Sequence, residues 1–284
     1  MRVILHAGTP KTGSTALQMY LRANDDALAA AGIWMPAFAP GTTRHQQLVA
    51  ALRSPQPDAF AHAFAQLVDA RPASAQTDFL SAEGVYLHWF DAPASAHASF
   101  ARALARVGAE MELWVCLREP RTFAESLYAQ NLRNPVADPL HARDASLDAM
   151  LDEPRFREQL DYARFVRDMD ALLGAERVRL FRYDREIVAH VARALGLADG
   201  LGDAHASVLP SLRSAGIEVQ RVLNRYPLTG DARAAAVQLA ADLDAALGDA
   251  SPPFCASEAA AMRIERLFGS GWLSLQPRLD AAPR

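Results

Sequence analysis

The sequence predicts an α/β fold of three layers: a central, mostly parallel sheet of about five strands covered by helices, with a helical C-terminal third. Two observations predict it. Short apolar runs alternate with longer stretches of helical spacing, the pattern of strands joined by helical crossovers. No linker-like shift in composition divides the chain, so residues 1–284 are expected to form one domain.

Arg2-Val-Ile-Leu-His-Ala-Gly8 is a short apolar run closing on glycine and reads as a buried parallel strand. Turn residues occupy 9–13, and from Ser14 to about Ala31 the residues Leu17, Tyr20, Leu21 and Leu28 fall at helical spacing, Asn24 being the exception. Gly32 closes that helix, and Ile33-Trp-Met-Pro36 reads as a brief second strand. Residues 37–76 are helical with Pro-rich breaks; Thr77 to Glu83 is a third strand ending on a carboxylate. An amphipathic helix at 97–107 leads into the fourth strand, 112–117, followed by helices at 122–133 and 156–173. Residues 177–183 form the fifth strand, and helices at about 185–195, 212–225, 231–247 and 257–268 complete the chain.

Composition narrows the function. The balance of 29 basic against 33 acidic residues, a net charge of −4, argues against binding a nucleic acid backbone or an anionic membrane. Two cysteines, Cys116 and Cys255, support neither a disulfide framework nor a cysteine-only zinc site. No run approaches the roughly 18 apolar residues of a membrane span, and the N-terminus lacks the apolar stretch of a secretory signal. A soluble cytoplasmic protein is expected. Among its cations, 28 are arginine and one is lysine, Lys11. A compact, rotatable ammonium suits a tight anion site in a way that a guanidinium does not.

Lys11 lies in Gly8-Thr-Pro-Lys-Thr-Gly-Ser-Thr15, between the first strand and the first helix. Unpaired N–H groups and the helix dipole converge at such a junction, where a phosphate can sit. A Walker loop would place lysine directly after the second glycine. Here the lysine lies two residues before Gly13, and the strand ends carry Glu83, Arg118 and Tyr183 rather than a metal-binding aspartate. Arg118 follows the fourth strand, and Ser126 lies eight residues on in the next helix. Ligands of α/β sheets bind at the C-terminal strand ends, and a guanidinium with a hydroxyl suits a terminal phosphate. A helix-capping ion pair of Arg118 with Glu119 or Glu125 is the structural alternative.

Pro-Lys-Thr-Gly-Ser-Thr (10–15) resembles the 5′-phosphosulfate loop of the sulfotransferase family. Cys-Leu-Arg-Glu-Pro-Arg-Thr-Phe-Ala-Glu-Ser-Leu-Tyr (116–128) resembles that family's 3′-phosphate motif. The resemblance spans roughly residues 2–197, with a fainter echo at Leu209-Pro-Ser-Leu212. It implies a P-loop-like fold that moves a sulfonate from 3′-phosphoadenosine 5′-phosphosulfate (PAPS) to an acceptor, with no metal. Lys11, Thr12, Gly13, Ser14 and Thr15 would hold the 5′-phosphosulfate, Arg118 and Ser126 the 3′-phosphate, and Tyr183 would lie near the nucleotide. Glu119 departs from the usual asparagine, and Phe123 stands where many relatives carry a second arginine.

Sulfonyl transfer needs an activated acceptor oxygen and charge compensation on the leaving phosphate. Lys11 suits the second task. Glu83 suits the first: it closes the third strand in Leu80-Ser-Ala-Glu-Gly84 and resembles the Ser-x-Glu segment of carbohydrate-type sulfotransferases. His45 and His88 compete as bases or as lining of the acceptor pocket, whereas His6, inside the first strand, reads as core. Trp34, Trp89 and Phe90 suit core packing or stacking on a ring. The acceptor, a saccharide or other small molecule, is expected to meet irregular segments at 36–60, 84–96 and 131–155. A P-loop kinase of a nucleotide or small molecule, and a non-catalytic nucleotide-binding protein, are the alternatives.

Overall fold

The computed structural model describes residues 2–42, 44–107, 110–133, 144–197 and 212–280. In chain order the elements are β1 (Arg2–His6), α1 (Ser14–Ala23), α2 (Asp25–Ala30), β2 (Ile33–Trp34), α3 (Gln46–Leu52), α4 (Ala59–Asp69), β3 (Thr77–Ser81), α5 (Gly84–His88), α6 (Ala94–Val107) and β4 (Met111–Leu117). There follow α7 (Pro120–Arg133), α8 (Leu147–Met150), α9 (Pro154–Glu158), α10 (Tyr162–Leu173), β5 (Val178–Arg182), α11 (Ile187–Ala194), α12 (Ser214–Leu223), α13 (Gly230–Leu247) and α14 (Glu258–Asp280).

All five expected strands form, and every pairing is parallel, in the order β2-β3-β1-β4-β5. β1 is therefore central, with β3 and β4 as neighbours, and the loops that follow these strands emerge at one edge of the sheet. One face carries Ile4, Phe79, Trp114, Cys116 and Phe181, buried against Leu17 and Leu21 of α1, Leu28 of α2 and Val188 and Val191 of α11. Burial of these large apolar side chains is worth about 1.5–3 kcal/mol each, which makes the strand-to-helix alternation energetically coherent. Away from that cluster, α10 packs on β4 and β5.

The chain divides into two compact units. The first comprises residues 1–118, 161–208 and 271–284 and holds the whole sheet. The second comprises 119–160 and 209–270 and is helical among the described residues. Within it, the Asp244 carboxylate accepts from Arg213 N (2.6 Å), Gly216 N (2.8 Å) and Ser251 Oγ (2.8 Å), which secures the start of α12. Arg233 Nη2 donates to the carbonyls of Leu132 and Arg133 (2.6 and 3.1 Å) and closes the end of α7.

Several boundaries differ from expectation for local reasons. The helix expected over 14–31 breaks at Asn24, whose side chain donates to Tyr20 O at 2.8 Å. The helix expected over 156–173 is two, because the Asp161 side chain accepts from Arg164 N and starts α10 afresh. The last helix runs to Asp280 rather than ending near 268. At Gly271 α14 passes close to α10: a Cβ there would stand 3.0 Å from Ala163 Cβ. Segment 84–96, expected to be irregular, contains α5 and the start of α6. Of the expected acceptor segment 131–155, residues 134–143 lie outside the described residues, as do 209–211 of the Leu209–Leu212 echo.

Candidate functional site

The ends of β1 and β3 lie side by side, with His6 opposite Ser81. Beyond β1 the chain turns tightly, with Lys11 at φ 63° and Gly13 at φ 78°. Two bonds from Thr9 to Cys116 O, one from N (3.3 Å) and one from Oγ1 (2.9 Å), tie this turn to β4. The Thr12 hydroxyl donates back to Thr9 O. A Cβ on Gly13 would stand 2.9 Å from Ile187 Cγ2, so α11 presses on the turn at a distance that only glycine allows. Ser14 opens α1, and no side chain caps that helix. Its first-turn N–H groups and the positive end of its dipole are the partners an anion can use.

Glu83 follows β3 and leads into α5. It is buried, and both carboxylate oxygens are engaged: Oε1 accepts from Arg44 Nη1 at 2.8 Å, and Oε2 accepts from the Ser14 hydroxyl. Burial pushes its pKa up, while the charge and hydrogen bond of Arg44 and the charge of Lys11 oppose that rise. Lys11 thus acts electrostatically on Glu83, which joins the turn after β1 and the end of β3 into one site.

Ser81, two residues before Glu83, positions it. Its backbone pairs with His45: His45 N donates to Ser81 O and Ser81 N donates to His45 Nδ1, both at 2.8 Å. Its hydroxyl accepts from Gln18 Nε2 (2.8 Å) and shares a hydrogen bond with His6 Nδ1 (2.9 Å); His6 Nε2 faces Cys116 Sγ at 3.6 Å. One serine therefore links α1, β1, β3 and the segment before α3. The pairing with His45 also brings Arg44 to Glu83. At Gly84 a Cβ would stand 2.7 Å from Val49 Cγ1, so glycine admits α3 against α5.

Arg118 Nη1 donates to Lys11 O at 3.4 Å, and its guanidinium lies 5.2 Å from the centre of the Tyr183 ring. Tyr183 N in turn donates to Leu117 O at 2.7 Å, which extends the β4–β5 pairing to the edge of the site. The structure thus brings together Lys11, Thr12, Gly13, Ser14, Glu83, Arg118 and Tyr183. Thr15 is exposed on α1. Ser126 belongs to α7 of the second unit; it is buried, and its hydroxyl has no hydrogen-bond partner among the described residues. Glu119 caps that helix, accepting from Arg121 N (3.0 Å) and Thr122 N (2.8 Å), and Phe123 is fully buried.

His45 does not line a pocket as expected. It is fully buried; because Nδ1 accepts from Ser81 N, the proton is on Nε2, which donates to Pro36 O at 3.1 Å. Burial lowers its pKa to about 4, as it does for His6, and both rings are structural. His88 lies 3.5 Å from Asp91 at the end of α5. Trp89 is buried, its Nε1 donating to Asp168 at 2.9 Å. Arg44, which sequence reasoning passed over, is the addition to the site; its only signal was its place beside His45.

Among the described residues no group of three or more His, Cys, Asp or Glu side chains converges as metal ligands would, and no helix is long and apolar enough to cross a membrane. No family model matches the chain, and no curated protein matches it. Among solved structures the chain is similar to a sulfotransferase from Alicyclobacillus acidocaldarius, with 16% identity and a TM-score of 0.48 over 80% of this chain and 97% of that one.

Proposed function

We propose that this chain is a PAPS-dependent sulfotransferase acting on a hydroxyl or amine of a saccharide or small-molecule acceptor, with residues 1–284 working as one enzyme. The observation that carries this reading is the bond from the Ser14 hydroxyl, at the uncapped start of α1, to the buried Glu83 carboxylate, which joins the turn carrying Lys11 to the end of β3. An ammonium, a helix N-terminus and a buried carboxylate together meet the needs of sulfonyl transfer.

The residues present fit the donor. The turn at Lys11 to Gly13 leaves α1 open to a phosphosulfate, and Arg118 stands beside it. Ser126, whose buried hydroxyl has no hydrogen-bond partner among the described residues, is the residue proposed for the 3′-phosphate. In the reaction Glu83 accepts the acceptor's proton as the acceptor oxygen or nitrogen bonds to sulfur. The bond from sulfur to the phosphate oxygen breaks, and Lys11 neutralises the charge left on that oxygen. The products are the sulfated acceptor and adenosine 3′,5′-bisphosphate. Burial raises the affinity of Glu83 for a proton, which suits it to take one from the acceptor.

Calorimetric titration with adenosine 3′,5′-bisphosphate and with ATP, each with and without magnesium, tests the reading. Metal-independent binding of the bisphosphate is expected. Binding of ATP alone, in the presence of magnesium, supports a P-loop kinase instead. Bisphosphate binding without transfer to any of a panel of saccharides and phenols points to a non-catalytic nucleotide-binding protein.

A further inference from the structure

Glu83 has both oxygens occupied by protein donors, Arg44 on Oε1 and Ser14 on Oε2. The two differ in kind. Arg44 carries a permanent charge, and its Nε is fixed by Gln46 Oε1 at 2.8 Å. Ser14 carries a single hydroxyl proton at the first position of α1, where a phosphate bound in the turn would also accept it. One proton serves one acceptor at a time. The Ser14 hydroxyl therefore donates to Glu83 or to a bound anion, but not to both.

We propose that donor binding arms the base: Ser14 transfers its hydrogen bond from Glu83 Oε2 to the 5′-phosphate, leaving that oxygen free to take the acceptor's proton while Arg44 holds the other. Ser14 is then a positioning residue that couples the nucleotide to the basicity of Glu83. This rests on the donor-loop reading above. A hydrogen bond to a carboxylate favours its ionised form, so losing it makes Glu83 a stronger base, and the incoming negative charge acts in the same direction. Among the described residues the charged groups that act on Glu83 are Arg44 from the segment before α3 and Lys11 from the turn after β1. His45, beside Arg44, keeps its ring on Ser81 and Pro36. Lys11 and Arg44 stay in place in this scheme, so Ser14 is the arm that moves.

The prediction is proton uptake on binding. Adenosine 3′,5′-bisphosphate is titrated into the full chain at near-neutral pH in buffers of different ionisation enthalpy, and the protons exchanged are read from the difference. Wild type takes up protons in excess of Glu83→Gln, which reports the nucleotide's own ionisation. Ser14→Ala is expected to lose at least half of that excess, and Ser14→Thr to restore it. Equal uptake by Ser14→Ala and wild type overturns the proposal while leaving the donor reading intact. Failure of wild type to bind the bisphosphate overturns both.

Should Ser14→Ala bind too weakly or fold poorly, Ser14→Cys, a near-isostere with a weak donor, takes its place. The ionisation of Glu83 in the free chain, followed by carboxyl NMR, is then decisive. A midpoint raised by about half a unit or more in the variant supports the switch, and an unchanged midpoint overturns it.

Discussion

The backbone carbonyl of Lys11 accepts from Arg118 Nη1 at 3.4 Å. The guanidinium that follows β4 thus supports, through the main chain, the turn that carries the chain's one lysine, whose charge also acts on Glu83. Arg118 thereby stabilises the conformation of Lys11, in addition to the nucleotide contact proposed for it.

Lys11→Ala is expected to lower kcat for sulfonate transfer by about 10²–10³, the usual cost of deleting one electrostatic contact to developing charge. Lys11→Arg is expected to restore little of it, since a planar guanidinium cannot take the place of a compact ammonium in a tight turn. Steady-state rates with a saturating donor check both. Wild-type kcat in Lys11→Ala would remove Lys11 from the chemistry.

Lys11 adopts φ 63°, a left-handed conformation that costs a residue with a Cβ roughly 1–2 kcal/mol. Lys11→Gly should therefore be more stable than Lys11→Ala by about 1 kcal/mol, although both lose activity. Urea denaturation of the two variants measures the difference directly. Equal midpoints would mean that the turn relaxes without the lysine.

Glu83→Gln keeps the hydrogen-bonded shape of the side chain and removes its basicity. We expect kcat to fall by ~10²–10⁴ with little change in bisphosphate affinity, and the acidic limb of the pH–rate profile to disappear. Titration calorimetry and a pH–rate series separate these effects. Full turnover in this variant assigns the base elsewhere.

Asp78 on β3 is fully buried, its nearest counter-charge being Arg71 Nε at 3.9 Å. Burial raises its pKa from 3.8 to about 6. Between those values the native state holds a proton that the unfolded chain releases, so this residue's contribution to stability falls as pH rises through that window. His6 and His45 act in the opposite sense. Lowered from 6.5 to about 4, they bind fewer protons when native, and stability falls as pH drops through that range. Asp78→Asn should stabilise the chain above pH 6 by on the order of 1–3 kcal/mol and steepen its loss of stability on acidification. Urea unfolding at pH 7.5 and pH 5 reads both effects; an unchanged difference between the two would show that Asp78 does not titrate in this way.

The sheet was legible from sequence because each strand is an apolar run closed by a marked residue, and parallel strands buried on both faces need little else. The ends of β1, β3 and β4 likewise drew attention to Lys11, Glu83 and Arg118. Three things were not legible. α5 is only five residues long, too short for a periodic signal. The continuation of α14 past Gly271 depends on how closely it approaches Ala163, which is a property of tertiary packing. Arg44 reaches Glu83 because His45 pairs with the backbone of Ser81, and no spacing in the chain encodes that distant pairing.

The pairings of Ser81 bear on how mutational data for this chain should be interpreted. Its hydroxyl engages Gln18 and His6 while its main chain holds His45, so replacing the side chain would loosen α1 and β1 beside Glu83 and leave the His45 pairing in place. An activity screen would then rank this serine with the proposed reactive groups, although its own partners are all protein groups. The Ser-x-Glu spacing is then a matter of architecture: the first residue sets the frame in which the third, the base proposed above, is held.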